Sequence, residues 1–249
     1  MLGWLFQPVC PCDIAAKAWV EERLQWLDEE FTDSVFNGRP IVLPTRDFFA
    51  DPYDGSKAAA RRLLDRICAY MDVVPELVDL LIVAEHDDLI LVNESGQAIP
   101  GAAGTYHEDE GRFKVRIDKW GLADPVGLVG TMAHELAHVR LLGQSRITHD
   151  EFDNELLTDL TVVHFGLGIF LANTPRTWAS DYSRWPGSDL LKPEYMTAPM
   201  FGWALAHVAW FQREKRPSWT RHLNGAARAN LKQDLRYLMA TADTTFAPT

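Results

Sequence analysis

The chain has 249 residues, 47% of them hydrophobic and 24% charged, which is ordinary for a globular protein with enough length for a core of its own. Its formal net charge is −11. Binding to nucleic acid or to an anionic membrane surface requires clustered Lys and Arg, so this acidic balance argues against both kinds of partner.

The cysteines and the N-terminal stretch bear on the compartment. Cys10, Cys12 and Cys68 are odd in number and few, so we interpret them as free thiols and not as a disulfide framework. The stretch MLGWLFQPVCPCD has a short apolar patch and no basic region, which predicts neither a signal peptide nor a membrane span. We therefore expect a cytoplasmic protein without a membrane span.

The first 77 residues predict a mostly helical region. Apolar residues recur at helical spacing between Asp13 and Phe31, with charged residues on the other side of the helix. After the turn DPYDGS, the segment KAAARRLLDRICAYM predicts a second helix with Ser56 as its N-cap.

Residues 78–118 predict a small sheet of three or four strands. The runs LVDLLIVAE and DLILVNE are rich in Leu, Ile and Val and are separated by an acidic turn. Residues 101–120 predict a hairpin that turns at Gly111 and ends in a strand from Arg112 to Asp118, where apolar and polar residues alternate.

From residue 124 onward the chain is predicted to be helical. Asp124 followed by Pro125 is a typical helix start, and Gly143 is a natural stop after a helix that ends near Leu142. The remaining predictions are a long helix from Asp150 to Ala172, a long loop over 173–197, and helices at about 198–213 and 225–240. Loops of this length usually carry function or wrap a site.

The order of helices, small sheet and helices predicts an α+β fold in a single domain over residues 1–249. Its predicted parts are a helical N-terminal part (1–77), a sheet with two site helices (78–172), and a loop with C-terminal helices (173–249). We expect a small mixed or antiparallel sheet packed on the helix that follows residue 124.

That helix contains His134, Glu135 and His138 in the pattern H-E-x-x-H. Residues i and i+4 share a helix face, so both imidazoles can bind one zinc ion, with Glu135 beside it as general base for a water molecule. A chance match would most often lie on an exposed face. Here Met132, Leu136 and other apolar neighbours predict a buried helix, in which unpartnered histidines would be costly and a metal would remove that cost.

A catalytic zinc ion requires a third protein ligand. The metzincin spacing fails, because Leu141 stands at its glycine position and Gln144 at its last ligand position. Glu155 and Asp159 lie downstream, four residues apart and with apolar flanks, which fits a ligand plus a partner behind it. His149 is an alternative ligand in the intervening loop.

The segment NELLTD, Asn154 to Asp159, resembles the N-E-x-x-S/T-D signature of gluzincin metallopeptidases, the thermolysin-like zincins. The resemblance covers about residues 112–172, a quarter of the chain. It implies a zincin-like fold, a Zn²⁺ ion held by His134, His138 and Glu155, and an Asp159 that hydrogen-bonds and orients His134.

The resemblance also implies a Tyr or His that hydrogen-bonds the oxyanion of the tetrahedral intermediate. Tyr195, just before a predicted helix, is the first choice. For each candidate the alternative is a core or interfacial aromatic. The other candidates are Tyr182, His207, His222 and Tyr106, although Tyr106 is also placed to line a cleft at a strand edge, where a peptide can add as a strand.

Several polar residues and glycines near the two motifs are predicted to have a structural role and not a chemical one. Glu151 and Asp153 are predicted to be solvated residues of a first helical turn. His164 is predicted to be a core histidine, because it is about half a turn away from the face of Glu155. Gly166 and Gly168 are predicted to allow close helix packing.

These expectations combine into a zinc metallopeptidase that acts on a peptide or protein substrate, in which Glu135 takes a proton from water and passes it to the leaving amine. Two alternatives stay open: a regulatory or binding protein with little turnover, and a non-peptide amide hydrolase. An intracellular protease requires restraint, and a narrow cleft, a covering loop over 173–197 or a regulatory partner would each provide it.

Overall fold

The computed structural model describes residues 9–83, 91–92, 98–99, 104–109, 111–174 and 184–248. In these ranges the chain contains the following α-helices: α1 (Ile14–Glu30), α2 (Lys57–Tyr70), α3 (Pro125–His138), α4 (Asn154–His164), α5 (Gly168–Asn173), α6 (Ala198–Phe211) and α7 (Gly225–Thr241). The strands are β1 (Val78–Val83), β2 (Leu91–Val92), β3 (Ala98–Ile99), β4 (Gly104–Asp109) and β5 (Arg112–Asp118). Helix and strand are thus both present, as an α+β fold requires.

The chain divides into two compact units. The first, which we call the helical unit, consists of Met1–Leu43 and Phe152–Thr249 and contains α1 and α4 to α7. The second, the sheet unit, consists of Pro44–Glu151 and contains the five strands of the described ranges with α2 and α3. That both form a single domain stays a prediction.

In the helical unit, α1 confirms the first predicted helix. Its N-cap is Asp13, whose carboxylate accepts hydrogen bonds from Ala15 N and Ala16 N at 3.0 and 2.9 Å. Its buried face, which includes Trp19 and Leu24, packs against α4 and α6.

The single helix predicted from Asp150 to Ala172 is wrong, because the chain breaks between α4 and α5. Gly166 adopts a left-handed φ of 86°, and Gly166 N and Leu167 N bond back to Val163 O and Val162 O, which closes α4 as a Schellman motif. A Cβ at Gly166 would lie 2.5 Å from Pro40 O. The glycine therefore permits a close approach of the chain near Pro40, while Gly168 packs tightly on Val163 of α4.

Helices α6 and α7 confirm the two C-terminal predictions and pack directly on each other. Gly202 makes the approach possible, since a Cβ there would meet Asp234 Oδ2 at 2.6 Å and Asn230 Cβ at 2.7 Å. Asp234 is fully buried at this contact.

The three-stranded sheet has the order β1-β5-β4. Strands β4 and β5 form the predicted antiparallel hairpin, with Gly111 at its turn at a φ of 74°. The β1–β5 pair is parallel, so the sheet is mixed, as one of the two predicted alternatives had it, and the wholly antiparallel alternative is wrong. The long connection between the two strands allows this crossover, which a hairpin would not. Strands β2 and β3 pair antiparallel in a separate two-stranded sheet.

Helices α2 and α3 of the sheet unit confirm the two helices predicted in this part of the sequence. The Ser56 hydroxyl caps α2 by accepting from Ala59 N, as predicted. Helix α3 packs against α2, β4 and β5. Its continuation from Val139 to Gly143 is a π-helical turn, so the helical segment ends where the glycine predicted it.

None of the described helices is both long and apolar enough to cross a membrane.

Candidate metal centre

Helix α3 positions His134, Glu135 and His138. Its first turn is fixed locally, because Pro125 is the first helical residue and the Asp124 carboxylate accepts from Val126 N and Gly127 N at 3.1 Å. The exposed fractions of His134, Glu135 and His138 are only 1%, 2% and 6%. The motif therefore does not lie on an exposed helix face.

The two histidine rings lie side by side, with centroids 4.9 Å apart and planes at 87° to each other. One ligand atom from each of His134, His138 and Glu155 lies within 4.8 Å of the other two. Donors about 2.1 Å from a tetrahedral ion are about 3.4 Å apart, so a separation within 4.8 Å is compatible with the binding of one ion. Two imidazole nitrogens and a carboxylate oxygen are a donor set that suits Zn²⁺.

Glu155 occupies the first turn of α4, as its second residue, and is half-buried. Leu156 and Leu157, which follow it, are fully buried and fix the orientation of this turn in the helical unit. The apolar flanks that predicted a buried helix around Glu155 are therefore confirmed.

The prediction that Asp153 is solvated is wrong. Asp153 is 1% exposed and precedes α4 as its N-cap. Its carboxylate accepts hydrogen bonds from Trp19 Nε1 at 2.5 Å and from Arg23 Nε and Nη2 at 2.7 and 2.9 Å. Both donors belong to α1, and a buried carboxylate requires such partners.

Asp159 is buried in α4, and its Oδ2 accepts a hydrogen bond from Met196 N at 2.9 Å. This bond fastens the segment that contains Tyr195, whose side chain is itself buried. Asp159 and Tyr195, predicted from different parts of the sequence, are thus brought near each other in the helical unit. The orientation of His134 by Asp159 stays a prediction.

The other oxyanion candidates occupy different environments. His207 is fully buried and makes hydrogen bonds with Trp203 O and Thr244 Oγ1, as a core aromatic would; burial lowers its pKa to about 4. His222 is half-buried, and burial and the charge of Arg221 lower its pKa. Tyr182 and the side chain of Tyr106 lie outside the described residues.

His149 lies on the surface and His164 lies in the core. His149 is exposed in a turn. It does not belong to the group of His134, His138 and Glu155, whose ligand atoms lie close together among the described residues. His164 is fully buried in the helical unit and packs against Phe31 and Phe165, so the prediction of a core histidine is confirmed.

Sequence reasoning missed Trp19 and Arg23 as partners of Asp153. They are 134 and 130 residues away along the chain, so no local spacing connects them. The sequence contains only a weak signal for this contact. Trp19 and Arg23 lie in an amphipathic helix, and an arginine close to its buried face requires an acidic partner.

Comparisons of the chain with models of protein families, with curated proteins and with solved structures give no match. The gluzincin resemblance accordingly depends on the two motifs and on the group formed by His134, His138 and Glu155.

Proposed function

We propose that this protein is a zinc-dependent hydrolase in which His134, His138 and Glu155 hold the metal. The observation that carries the proposal is the proximity of one ligand atom from each of these residues, within 4.8 Å. Two histidines and a glutamate are the protein ligands of a catalytic zinc site that keeps its fourth position open.

Each residue of the site has a role in this proposal. A bound Zn²⁺ ion supplies Lewis-acid polarisation of a carbonyl group and lowers the pKa of water. The Glu135 carboxylate accepts a proton from the attacking water and later donates it to the leaving amine. Burial of Glu135 strengthens its electrostatic interactions, because the surrounding dielectric is low.

Tyr195 and Asp159 complete the proposed machinery. The Tyr195 hydroxyl donates a hydrogen bond to the oxyanion that develops on the substrate carbonyl. Asp159 holds the backbone next to Tyr195 through Met196 N and, by the gluzincin resemblance, also orients the ring of His134.

The substrate class in this proposal is a peptide or protein, the fold is zincin-like and the compartment is the cytoplasm. The reaction class follows from the pairing of Glu135 with two histidines and Glu155, which matches the gluzincin pattern residue by residue. Amide hydrolysis of a non-peptide substrate uses the same residues in the same roles.

One observation favours a second candidate, a metal-binding regulatory protein with little turnover. His134 and Glu135 are almost completely buried, so a substrate has little access to them in this conformation. A zinc-loaded protein that hydrolyses neither a broad peptide mixture nor small amides would support this second candidate over the first.

The test combines metal analysis with one substitution. We expect one zinc per chain in the purified protein, and Glu135→Gln should retain this zinc while losing at least about a hundredfold in hydrolysis, because proton transfer contributes 10²–10⁴-fold. The matched control is Glu76→Gln, which changes an exposed glutamate of the sheet unit. Absence of zinc, or full activity in Glu135→Gln, would contradict the proposal.

A further inference from the structure

The N-terminus of α4 is held in an unusual way. A carboxylate at the N-cap position ordinarily accepts hydrogen bonds from backbone N–H groups of the first turn. The Asp153 side chain makes no such bond. Its oxygens are instead occupied by the Trp19 indole N–H and by two N–H groups of Arg23, all from α1.

This contact is built as a specific clamp. The Arg23 guanidinium meets both carboxylate oxygens, and this two-point geometry fixes direction as well as distance. The Asp153 side chain is fully buried and that of Arg23 is 16% exposed, so solvent screens the pair weakly. Arg23 also lies 5.8 Å from the ring centroid of Phe152, the residue before Asp153.

The clamp acts on the turn that carries Glu155. Asp153 is two residues before Glu155, and its carbonyl oxygen accepts the hydrogen bond from Leu157 N at 2.8 Å that closes this turn. We infer that Arg23 and Trp19 are positioning residues for Glu155: by holding Asp153, they fix the first turn of α4 and keep the Glu155 carboxylate where a metal can bind it. This inference rests on the proposed role of Glu155 as a metal ligand.

A purely structural clamp would make a different prediction. If Arg23 and Trp19 contributed only to the free energy of unfolding, their substitution would lower the melting temperature and leave the metal affinity of the folded protein unchanged. Partners that orient a metal ligand instead change metal affinity, typically by 10–100-fold.

The experiment measures metal binding and not turnover. Protein freed of metal by a chelator is titrated with Zn²⁺ against a chromophoric competitor, and with Co²⁺ to record its visible absorption, which depends on coordination geometry. The variants are Arg23→Lys, which loses the two-point contact, and Trp19→Phe, which loses one donor and keeps an aromatic ring. All titrations are made well below each variant's melting temperature.

The matched control is Arg39→Lys in the same unit. Arg39 also pairs with an aspartate, Asp33, at 2.7 Å, but Asp33 does not precede a proposed ligand. We expect the Zn²⁺ affinity to fall about 10- to 100-fold in Arg23→Lys, less in Trp19→Phe, and not at all in Arg39→Lys. The Co²⁺ spectrum should change in Arg23→Lys alone or most strongly there. In a Glu155→Ala background, Arg23→Lys should have no further effect.

Each contrary result has a definite meaning. Unchanged Zn²⁺ affinity in both variants, or an equal loss in Arg39→Lys, overturns the inference and leaves the proposed function intact. A wild-type protein that binds no Zn²⁺ overturns the proposed function and this inference with it. If Arg23→Lys does not fold, Trp19→Phe decides the question, since it retains the ion pair.

Discussion

Helices α3 and α4 both carry proposed metal ligands, but their first turns are fixed by different means. The first turn of α3 is built from adjacent residues, with Pro125 in place and Asp124 bonded to the next two backbone N–H groups. The first turn of α4 depends on residues more than 100 positions away, because Asp153 is bonded to α1. The first turn of a helix can therefore be fixed either by residues next to it in the sequence or by tertiary contacts with a remote helix.

The strongest test of this difference is Asp153→Ala. The change leaves the Arg23 guanidinium and the Trp19 N–H without their partner, and breaking a buried pair from one side costs about 3–5 kcal/mol. Arg23 is partly exposed, so we expect the low end, a loss of about 3 kcal/mol in the free energy of unfolding. Urea titration measures it, and a loss below about 1 kcal/mol would show that α4 does not depend on α1.

The C-terminal end of α4 provides a second test. Gly166→Ala places a Cβ 2.5 Å from Pro40 O at a left-handed φ, so we expect a loss of about 2 kcal/mol in the free energy of unfolding. Gly111→Ala is the control, because that glycine also has a positive φ but open space around it, and should cost about 1 kcal/mol. Equal losses would mean that the contact with Pro40 contributes nothing.

Asp234 provides a contrast with Asp153, because its carboxyl group is buried but has no hydrogen-bond partner among the described residues. Asp234 is fully buried, neither oxygen has a hydrogen-bond partner among the described residues, and burial raises its pKa from 3.8 to about 8. The folded state therefore holds a proton that the unfolded chain releases above pH 3.8. Its stabilising contribution is complete below that pH and declines, by up to about 1.4 kcal/mol per pH unit, until the pH passes 8.

Asp234→Asn removes this titration. Relative to the wild type, we expect the variant to become progressively more stable between pH 5 and pH 8, as measured by urea unfolding at several pH values. Asp153→Ala is expected to lower the free energy of unfolding, whereas Asp234→Asn is expected to raise it relative to the wild type as the pH increases. This difference would distinguish a buried carboxyl without a hydrogen-bond partner among the described residues from a paired one. A stability difference that stays constant with pH would show that Asp234 is not protonated in the folded protein.

The smallest effect is expected at the start of α3. Asp124→Ala removes a side-chain cap at an exposed position and should lower the free energy of unfolding by about 1 kcal/mol, while Asp124→Asn should be nearly neutral. Thermal unfolding of the three proteins provides the measurement. If Asp124→Ala were as damaging as Asp153→Ala, the distinction between local and tertiary control would fail.

The features predicted correctly are those with local signals. The start of α3, the cap at Ser56, and the hairpin at Gly111 each depend on residues within a few positions of one another. The helical spacing of the H-E-x-x-H motif is equally local, because it alone brings His134 and His138 onto one helix face, while the metal role of these residues stays a prediction.

The features predicted wrongly or left open depend on partners remote in sequence. The parallel direction of the β1–β5 pair is not recorded in the alternation of either strand. Helix α4 ends near Gly166, where the chain lies close to Pro40. An isolated glycine within an apolar helical pattern does not by itself predict that a helix ends. The burial of Asp153 required knowledge of where α1 lies.

The clamp on Asp153 has a consequence for fragment design and for locating module boundaries. The gluzincin resemblance covers about residues 112–172, and a fragment cut to that span would omit Trp19 and Arg23. In such a fragment, the Asp153 carboxylate at the N-terminus of α4 would lack the hydrogen bonds from Trp19 and Arg23. If Arg23 and Trp19 position Glu155 as we infer, a fragment that binds metal has to include α1, which begins about a hundred residues before the region of the resemblance.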